Sequence, residues 1–165
     1  MQSNEAVYAR IAGTGSYLPR KILTNDDIAQ LVDTSDEWIY TRTGIHQRHI
    51  SEKDETSGMM AEQAARQALD VAALDASQLD MIIVATCTPD LVIPSTACLL
   101  QARLGVRGCI AFDVSAACAG FNYGLAIADQ FIRNKMIRHA LVVGSEVMSS
   151  LLDWTDRSTC ILFGD

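Results

Sequence analysis

Residues 112–121 read Phe112-Asp-Val-Ser-Ala-Ala-Cys-Ala-Gly-Phe121, and this segment stands between two different apolar patterns. The run that leads into it, Cys109–Val114, has the length and apolar character of a buried strand. After it, apolar residues recur at helical spacing as far as Arg133, which predicts a long helix from about Cys118. The segment therefore predicts a strand, a turn of small residues and a helix, which is the repeating unit of α/β folds.

The same alternation of strand-like and helix-like segments extends through the rest of the chain. It predicts an α/β sheet that is covered by helices on both faces. We predict strands over Ala6–Tyr17, Ile45–Ile50, Met81–Thr86, Cys109–Val114, His139–Ser145 and Thr159–Phe163. We predict helices over Thr24–Val32, from Thr34 through Arg42, and over Ser57–Ala73, Pro94–Leu104 and Cys118–Arg133. No repeat or linker interrupts the series, so we expect residues 1–165 to form one domain.

Composition indicates a globular protein and argues against several classes of partner. Apolar residues make up 49% and charged residues 20% of the 165 residues, which is ordinary for a packed domain and unlike a disordered chain. The net charge is −7 and there is no basic stripe, so we expect no nucleic-acid partner. No apolar run approaches the ~20 residues of a membrane helix, and the first residues lack a secretory signal. We therefore expect a cytoplasmic protein without membrane contact.

Cys118 is the strongest candidate nucleophile among five cysteines. Their odd number and the lack of a Cys-x-x-Cys pair argue against a disulfide framework and a zinc site. The small residues around Cys118 leave room for a substrate, and the N–H groups of a helix N-terminus stabilise a thiolate. A thiolate can capture an acyl group covalently. The alternative is that Cys118 is a small buried hydrophobe, as most free cysteines are.

The other cysteines have weaker claims to chemistry. Cys98, Cys109 and Cys160 fall in apolar helix or strand patterns, and we interpret them as core residues. Cys87 follows the Met81–Thr86 strand, at an edge where α/β proteins bind ligands, so it could line a pocket.

Three further patterns give only weak evidence for a binding site when residue chemistry alone is considered. Gly13-Thr-Gly15 lacks the third glycine of a dinucleotide-binding motif. His46 and His49 lack a third metal ligand, and we interpret them as a solvated strand face. Trp38 and Arg42, one helical turn apart, could hold a flat ring and a phosphate, or they could be a core tryptophan and a solvated arginine.

These segments resemble the β-ketoacyl-acyl-carrier-protein synthase III family, the thiolase-fold condensing enzymes that start fatty-acid synthesis. The resemblance runs in order through nearly the whole chain. Its motifs are Gly13-Thr-Gly-Ser-Tyr-Leu-Pro19, Asp33-Thr-Ser-Asp-Glu-Trp-Ile39, Thr41-Arg-Thr-Gly-Ile45, Phe112-Asp-Val114, Ala116-Ala-Cys-Ala-Gly-Phe121, Ala140-Leu-Val-Val-Gly-Ser145, Thr155-Asp-Arg157 and Phe163-Gly-Asp165. It implies one half of a thiolase-like α/β fold, with a mixed sheet of about five strands and helices on both faces.

The resemblance implies that Cys118 accepts acetyl or another short acyl group from coenzyme A. The carbanion of decarboxylating malonyl-acyl carrier protein then attacks the acyl-enzyme, which gives a 3-oxoacyl product. Cys87 and, across a dimer interface, Ile93 would border the acyl pocket. Family members often have threonine at the position of Cys87 and an aromatic residue at that of Ile93.

The resemblance also implies a coenzyme A site and no metal or resident cofactor, since the coenzyme A thioester is a substrate. Trp38 and Arg157 would sandwich the adenine, with Thr34 hydrogen-bonding nearby and Arg42 facing the phosphates. The expected partners are acyl carrier protein, acetyl-CoA or another short acyl-CoA, and a second copy in a homodimer.

A histidine and an asparagine that stabilise the malonyl enolate belong to the second half of the family's fold. None of His46, His49 and His139 lies in a matching motif. Because the sequence stops at Asp165 directly after a predicted strand, we expect an amino-terminal half that lacks the carboxy-terminal half. We expect this half alone to be acylated slowly at best and not to condense.

Two alternatives to this function remain open on the sequence. One is a related synthase of the same fold that makes alkylquinolones, polyketide starters or 3-hydroxy-3-methylglutaryl-coenzyme A. The other is a non-catalytic α/β module that binds acyl-coenzyme A or a partner protein, in which Cys118 is merely packed.

Overall fold

The computed structural model describes residues 7–165, which divide into two compact units. The first unit contains the segment ending at Tyr17 and Ser57–Ser145, and the second contains Leu18–Thr56 and Glu146–Asp165. The strands are β1 (Lys21–Thr24), β2 (Gln47–Ile50), β3 (Met81–Ala85), β4 (Ile110–Val114) and β5 (Ala140–Gly144). The helices are α1 (Asn25–Ile28), α2 (Asp36–Thr43), α3 (Ser57–Ala72), α4 (Thr96–Arg103), α5 (Gly120–Arg133) and α6 (Arg157–Cys160). None of these helices has the length and apolar character needed to cross a membrane.

The first unit is built on a three-stranded parallel sheet in the order β4-β3-β5. The middle strand reads Met81-Ile-Ile-Val-Ala85, and every one of its residues is buried. A continuous apolar run of this kind suits a parallel strand that is covered on both faces. The register pairs Met81 with Ile110 on one side and with Ala140 on the other, so the carboxyl ends of all three strands lie at one edge.

Helices cover both faces of this sheet because side chains alternate along β3. Ile82 and Val84 belong to a buried cluster with residues of α3, α4 and β5, including Ala61, Ala65, Leu69, Ala97, Leu100, Leu141 and Val143. Met81 and Ile83 belong to a second cluster with residues of α5 and its surroundings, including Ala128, Ile137, Ile127 and Phe131. The predicted covering of both faces is confirmed.

Asp80 fastens the three strands together where they begin. Its carboxylate accepts hydrogen bonds from the backbone N–H groups of Arg138 at 2.8 Å and His139 at 3.0 Å. Its backbone also bonds the carbonyl of His139 and the N–H of Ile110, each at 3.0 Å. Both N–H groups that reach the carboxylate favour its charged form, so the pKa of Asp80 lies below its usual range.

The Gly-x-Gly segment packs directly on helix α3. A Cβ at Gly13 would lie 2.3 Å from the carbonyl oxygen of Ala68, and one at Gly15 would lie 2.2 Å from that of Ala64. Backbone approaches backbone at both points, so only glycine fits without displacement of the chain. This close packing accounts for the motif without a dinucleotide.

The second unit combines an antiparallel pair of strands with three short helices. β1 and β2 pair from Lys21 with Ile50 to Thr24 with Gln47. Helix α1 begins at a capping box in which Thr24 and Asp27 bond each other's backbone. The core consists of Ile28, Ile39, Cys160 and Ile161, with Leu23, Val32, Trp38 and Trp154 partly buried against it.

The predicted α/β class is confirmed, and the five strands divide between a parallel sheet and an antiparallel pair. Two strand predictions are wrong. Residues 7–17 form no strand, and Ala6 lies outside the described residues. Thr159–Phe163 forms no strand either, because the Asp156 side chain accepts from the N–H of Ser158 and starts helix α6 instead.

Three predicted helix starts differ from the structure by a few residues. Ser35, rather than Thr34, caps α2 by accepting from a backbone N–H. Ser95 caps α4, so this helix begins at Thr96 rather than at Pro94. Helix α5 begins two residues after Cys118, with a short 3-10 turn before it.

Replacement of Asp80 by alanine is expected to lower the free energy of unfolding by about 2 kcal/mol, because two backbone N–H groups lose a charged acceptor. The pKa of Asp80 is lowered by folding, so its contribution is complete above the unfolded-state pKa near 4. It is lost as pH falls through the lower folded-state pKa. Urea unfolding of the wild type and the variant should therefore give midpoints that converge in acid. Asp70→Ala, on the exposed face of α3, is the matched control; equal effects of the two substitutions would contradict the prediction.

Candidate active site

Cys118 lies on the connection between β4 and α5, beyond the carboxyl edge of the parallel sheet. The chain leaves β4 at Val114 and passes through a 3-10 turn, Ala117–Ala119, before α5 begins. Ala117 has a φ of 44°, a left-handed conformation that residues with a Cβ rarely adopt. Backbone strain of this kind clusters at functional sites. The turn leaves Cys118 exposed, so the alternative of a buried packing residue does not describe it.

Gly120 allows helix α5 to begin directly against the end of β3. A Cβ at this position would lie 3.1 Å from the Cβ of Ala85 and 3.6 Å from the carbonyl oxygen of Val114. The residue before the helix, Ala119, provides no side-chain cap. The uncapped N-terminus of this 14-residue helix therefore carries its partial positive charge within two residues of Cys118.

Cys87 lies on the neighbouring connection, two residues after the end of β3. Its sulfur is 3.6 Å from the hydroxyl oxygen of Ser115, which directly follows β4. Cys87 and Cys118 are both exposed, and they lie on adjacent connections at the edge where α/β sheets hold ligands. Ile93 is further along the same connection as Cys87 and is 85% exposed.

Asp113 joins strand β4 to the start of helix α4, and residue chemistry alone did not single it out. This residue lies in the apolar strand β4, and its carboxylate accepts from the backbone N–H groups of Thr96 at 2.8 Å and Ala97 at 2.7 Å. These are the first two residues of α4, where a carboxylate complements the free N–H groups. The signal that could have revealed it is a charged residue inside an otherwise apolar strand.

The second unit brings together three residues that the resemblance assigns to coenzyme A. Trp38 is half-buried on α2, and the guanidinium carbons of Arg42 and Arg157 lie 4.2 Å and 4.5 Å from the centre of its ring. Arg157 also donates to the carbonyl of Asp33 at 3.0 Å, and Arg42 donates to that of Trp38 at 3.2 Å. Two cations from distant parts of the sequence thus share one aromatic ring.

Thr34 is placed just before helix α2. Its hydroxyl oxygen is buried and has no hydrogen-bond partner among the described residues. Because Ser35 supplies the cap by accepting from the N–H of Trp38 at 3.1 Å, Thr34 has no role in capping. A buried hydroxyl without a partner is unfavourable, so Thr34 retains unused hydrogen-bonding capacity close to Trp38 in the chain.

The histidines have other partners. His139 precedes β5, and its ring Nδ1 lies 3.1 Å from the carbonyl oxygen of Gln78. It lies at the amino edge of the sheet, about 16 Å from the edge that carries Cys118, since each strand rises roughly 3.3 Å per residue. His46 stacks on Tyr40 with ring centres 4.0 Å apart, and the ring of His49 lies 2.6 Å from the carbonyl of Pro19. Residues 7–165 contain no group of three metal-ligating side chains.

The remaining cysteines are less accessible than Cys87 and Cys118. Cys98 and Cys109 are half-buried, and Cys160 is fully buried in the core of the second unit. Burial raises the pKa of the Cys109 thiol. Burial, aided by the nearby Asp156 carboxylate, raises the pKa of Cys160 as well.

Comparison with known proteins identifies the source of these motifs. The family described as 3-oxoacyl-[acyl-carrier-protein (ACP)] synthase III matches residues 112–165. The chain is 64% identical over 158 residues to β-ketoacyl-[acyl-carrier-protein] synthase III of Methylococcus capsulatus, covering 96% of this chain and 49% of the relative. Over nearly its whole length, this chain is similar to about half of each of these synthase III proteins. It spans about half the length of the curated relatives that it matches.

Solved structures of the synthase III family share the fold. The crystal structure of 3-oxoacyl-[acyl-carrier-protein] synthase III from Aquifex aeolicus matches with a TM-score of 0.92 and 53% identity, over 98% of this chain and 51% of that one. The priming β-ketosynthase of the R1128 polyketide pathway matches with a TM-score of 0.95 and 39% identity, over 100% of this chain and 49% of that one. The thiolase-like fold of one synthase III half is therefore established for this chain.

Alkylation of the folded protein should follow cysteine exposure. We expect iodoacetamide near neutral pH to modify Cys87 and Cys118 first and Cys160 last, because burial and a raised pKa both reduce the accessible thiolate of Cys160. Peptide mass spectrometry over a time course measures the order. In guanidinium chloride all five cysteines should react at similar rates. Early modification of Cys160 in the folded protein would contradict the described burial.

Proposed function

We propose that this chain supplies the acyl-accepting half of a 3-oxoacyl-[acyl-carrier-protein] synthase III that initiates fatty-acid synthesis. In this reaction Cys118 takes acetyl or another short acyl group from coenzyme A and transfers it to malonyl-acyl carrier protein. The observation that carries the proposal is an exposed cysteine on a strained strand-to-helix turn, at the ligand-binding edge of the sheet. Similarity to the synthase III proteins supports the reaction type.

The first step is thioester exchange at Cys118. The thiolate attacks the acyl carbonyl carbon, the bond between that carbon and the coenzyme A sulfur breaks, and the departing thiolate takes a proton from solvent. Negative charge develops on the carbonyl oxygen during the attack. The uncapped N-terminus of α5 supports this step, because its N–H groups favour both the attacking thiolate and the developing oxyanion.

Binding of coenzyme A is assigned to Trp38, Arg157, Thr34 and Arg42. A flat adenine ring suits a site made of an indole and a guanidinium plane, and the second arginine suits the phosphates. Arg157 lies 4.5 Å from the ring centre of Trp38, whereas an inserted ring needs about 7 Å, which is two van der Waals contacts of about 3.5 Å each. Arg157 must therefore withdraw from Trp38 when adenine binds between them.

The second step is decarboxylative condensation. Carbon dioxide leaves malonyl-acyl carrier protein, its C2 carbanion attacks the acyl carbonyl on Cys118, and the Cys118 thiolate leaves as the 3-oxoacyl product forms. The histidine and asparagine that would stabilise the malonyl enolate match no motif of this chain. We assign those groups to a part of the fold beyond these residues, since the relatives are about twice as long.

The proposal includes a homodimer and an acyl pocket. Ile93 is almost fully exposed on the β3–α4 connection, and a partner copy would bring the equivalent residue to the acyl pocket that Cys87 borders. The acyl carrier protein is the second partner. A cytoplasmic location fits these partners and the reduced cysteine that the chemistry needs.

A priming synthase for polyketide assembly is the second candidate function. The similarity to the R1128 priming β-ketosynthase favours it, since that chain matches over 100% of this one. Incubation of the protein with acetyl-CoA and longer acyl-CoA thioesters, followed by product analysis, separates the two functions. Preference for acetyl-CoA with malonyl-acyl carrier protein supports fatty-acid initiation.

Acylation at Cys118 can be measured directly by intact-protein mass spectrometry after exposure to acetyl-CoA. We expect a single acetyl adduct that hydroxylamine removes, because it is a thioester. The adduct should disappear in Cys118→Ala and persist in Cys87→Ala, which removes the other exposed thiol at this edge. A folded wild type that forms no adduct would favour the non-catalytic binding module, and an adduct that persists in Cys118→Ala would assign the acyl group to another residue.

Residues 1–165 alone are expected to give no sustained turnover with acetyl-CoA and malonyl-acyl carrier protein. The reason is that the groups assigned to enolate stabilisation are absent from the motifs of this chain. Release of 3-oxoacyl product, followed by mass spectrometry, measures this. The control is acylation of the same preparation, which shows that Cys118 is competent; repeated product formation would refute the assignment.

A further inference from the structure

Arg48 is a buried cation of the second unit with neutral hydrogen-bond partners. It lies on β2 and is 5% exposed. Its guanidinium donates to the side-chain oxygen of Asn25 at 2.8 Å, to the carbonyl of Ile161 at 3.0 Å and to that of Leu23 at 3.3 Å. Its Nε has no partner among the described residues. Removing a charge from water without a counter-charge is costly, so this arrangement needs an explanation.

Cys160 does not act as a negative counter-charge for Arg48. Cys160 is fully buried in the same unit, and burial raises the pKa of its thiol. Cys160 is therefore a neutral thiol at physiological pH. Arg48 donates to carbonyl and amide oxygens, and it therefore joins the segments to which those oxygens belong.

One acceptor of Arg48 belongs to the segment that carries Arg157. Ile161 directly follows α6, the four-residue helix that begins at Arg157. The bond from Arg48 to the carbonyl of Ile161 therefore fixes the end of the helix on which Arg157 stands. Arg157 in turn lies over the ring of Trp38.

The side-chain acceptor of Arg48 is Asn25, and it connects Arg48 to the helix that carries Trp38. The amide nitrogen of Asn25 donates to the carboxylate of Asp36 and to the carbonyl of Ile45, both at 2.7 Å. Asp36 is the first residue of α2 and Ile45 follows its end. Asn25 is 1% exposed, whereas the side chain of Asp36 is 48% exposed, so the link runs from the buried interior to the surface of α2.

We infer that Arg48 is a positioning residue for the nucleotide end of coenzyme A: through Ile161 and through Asn25 it fixes the segments that carry Arg157 and Trp38. This inference rests on the proposed function. The positions of these segments matter because a bound adenine ring must contact both Trp38 and Arg157. Dispersion attraction falls steeply when facing groups separate by a fraction of an ångström beyond contact. The buried hydrogen-bond network of Arg48 holds these segments more rigidly than exposed side chains would.

The competing explanation is that Arg48 only stabilises the fold. The apolar cluster of Ile28, Ile39, Cys160 and Ile161 also joins α2 and α6, and it could fix their spacing without help. The two explanations differ in which substrate they affect. A positioning residue acts only when the nucleotide is bound, whereas loss of fold stability reduces reaction with every substrate.

The test compares acetyl-CoA with acetyl-pantetheine, which carries the thioester but no nucleotide. Single-turnover acylation of Cys118 is followed by mass spectrometry in the full-length protein that contains this chain, over a range of each substrate. Arg48→Met removes the charge and the donors and keeps the length of the side chain. We expect a half-saturating acetyl-CoA concentration raised roughly tenfold, the size of a weakened base-stacking contact. The maximal rate, and both parameters for acetyl-pantetheine, should remain those of the wild type.

Two further variants make the result decisive. Arg20→Met is the same substitution at an exposed arginine of this unit, which pairs with Glu52 and Asp54; it should leave the preference for acetyl-CoA unchanged. Asp36→Ala cuts the link from Asn25 to α2 at a residue whose side chain is 48% exposed. It should reproduce the effect of Arg48→Met, and it decides the question if Arg48→Met does not fold.

The outcomes separate this inference from the proposed function. Equal losses with both substrates, or no change in half-saturation by acetyl-CoA, would overturn the positioning role while Cys118 acylation stands. A wild type that is acylated equally well by the two substrates would overturn the nucleotide site and this inference together. A wild type that is acylated by neither would overturn the proposed function itself.

Discussion

Burial of β3 on both faces is the constraint on which the rest of the first unit depends. A strand whose five residues are all apolar and buried must have a hydrogen-bonded neighbour on each side and a layer of helices on each face. Parallel neighbours require a long crossover for every connection. The two crossovers pass through α4 on one face and α5 on the other, α3 packs on the same face as α4, and every strand of the sheet ends at the same edge. The close position of the Cys87 and Cys118 connections follows from that geometry.

Charged side chains join segments of this chain in two different ways. Asp80 and Asp113 are surrounded by backbone N–H groups at the ends of strands and at the start of a helix, where charged acceptors are favourable. Arg48 is surrounded by carbonyl and amide oxygens. Each carboxylate joins its own strand region to one other segment, whereas the Arg48 guanidinium bonds groups of two other parts of the chain. These three residues therefore determine where segments meet, which apolar packing specifies less sharply.

The periodic parts of the fold were predictable from sequence, and the exceptions have physical causes. The β4–α5 unit and the buried β3 carry strong patterns that match a strand or a helix. The segment 7–17 has a strand-like pattern, yet its glycines pack on α3, and a local pattern does not reveal which surface an extended segment will meet. The strand predicted over Thr159–Phe163 is wrong because the helix cap at Asp156 outweighs a short apolar run.

The candidate site was only partly predictable for a similar reason. Small residues before a helix, together with the family motifs, single out Cys118. The left-handed φ of Ala117 leaves no sequence signal, because alanine does not favour that conformation and tertiary packing imposes it. The burial of Arg48 and Asn25 was not predictable either, because isolated polar residues in short strands and helices are ordinary at protein surfaces.

The direct contact between Arg157 and Trp38 has an energetic consequence for ligand binding. Withdrawal of Arg157 gives up a cation–π contact of roughly 0.5–1 kcal/mol at a partly exposed site. Stacking of a base on the indole returns about 1–3 kcal/mol, and the guanidinium regains a planar partner on the far side of that base. In the proposed site the pair would open by about 2.5 Å, the difference between its present spacing and two contact distances, and a base stack would replace the cation–π contact.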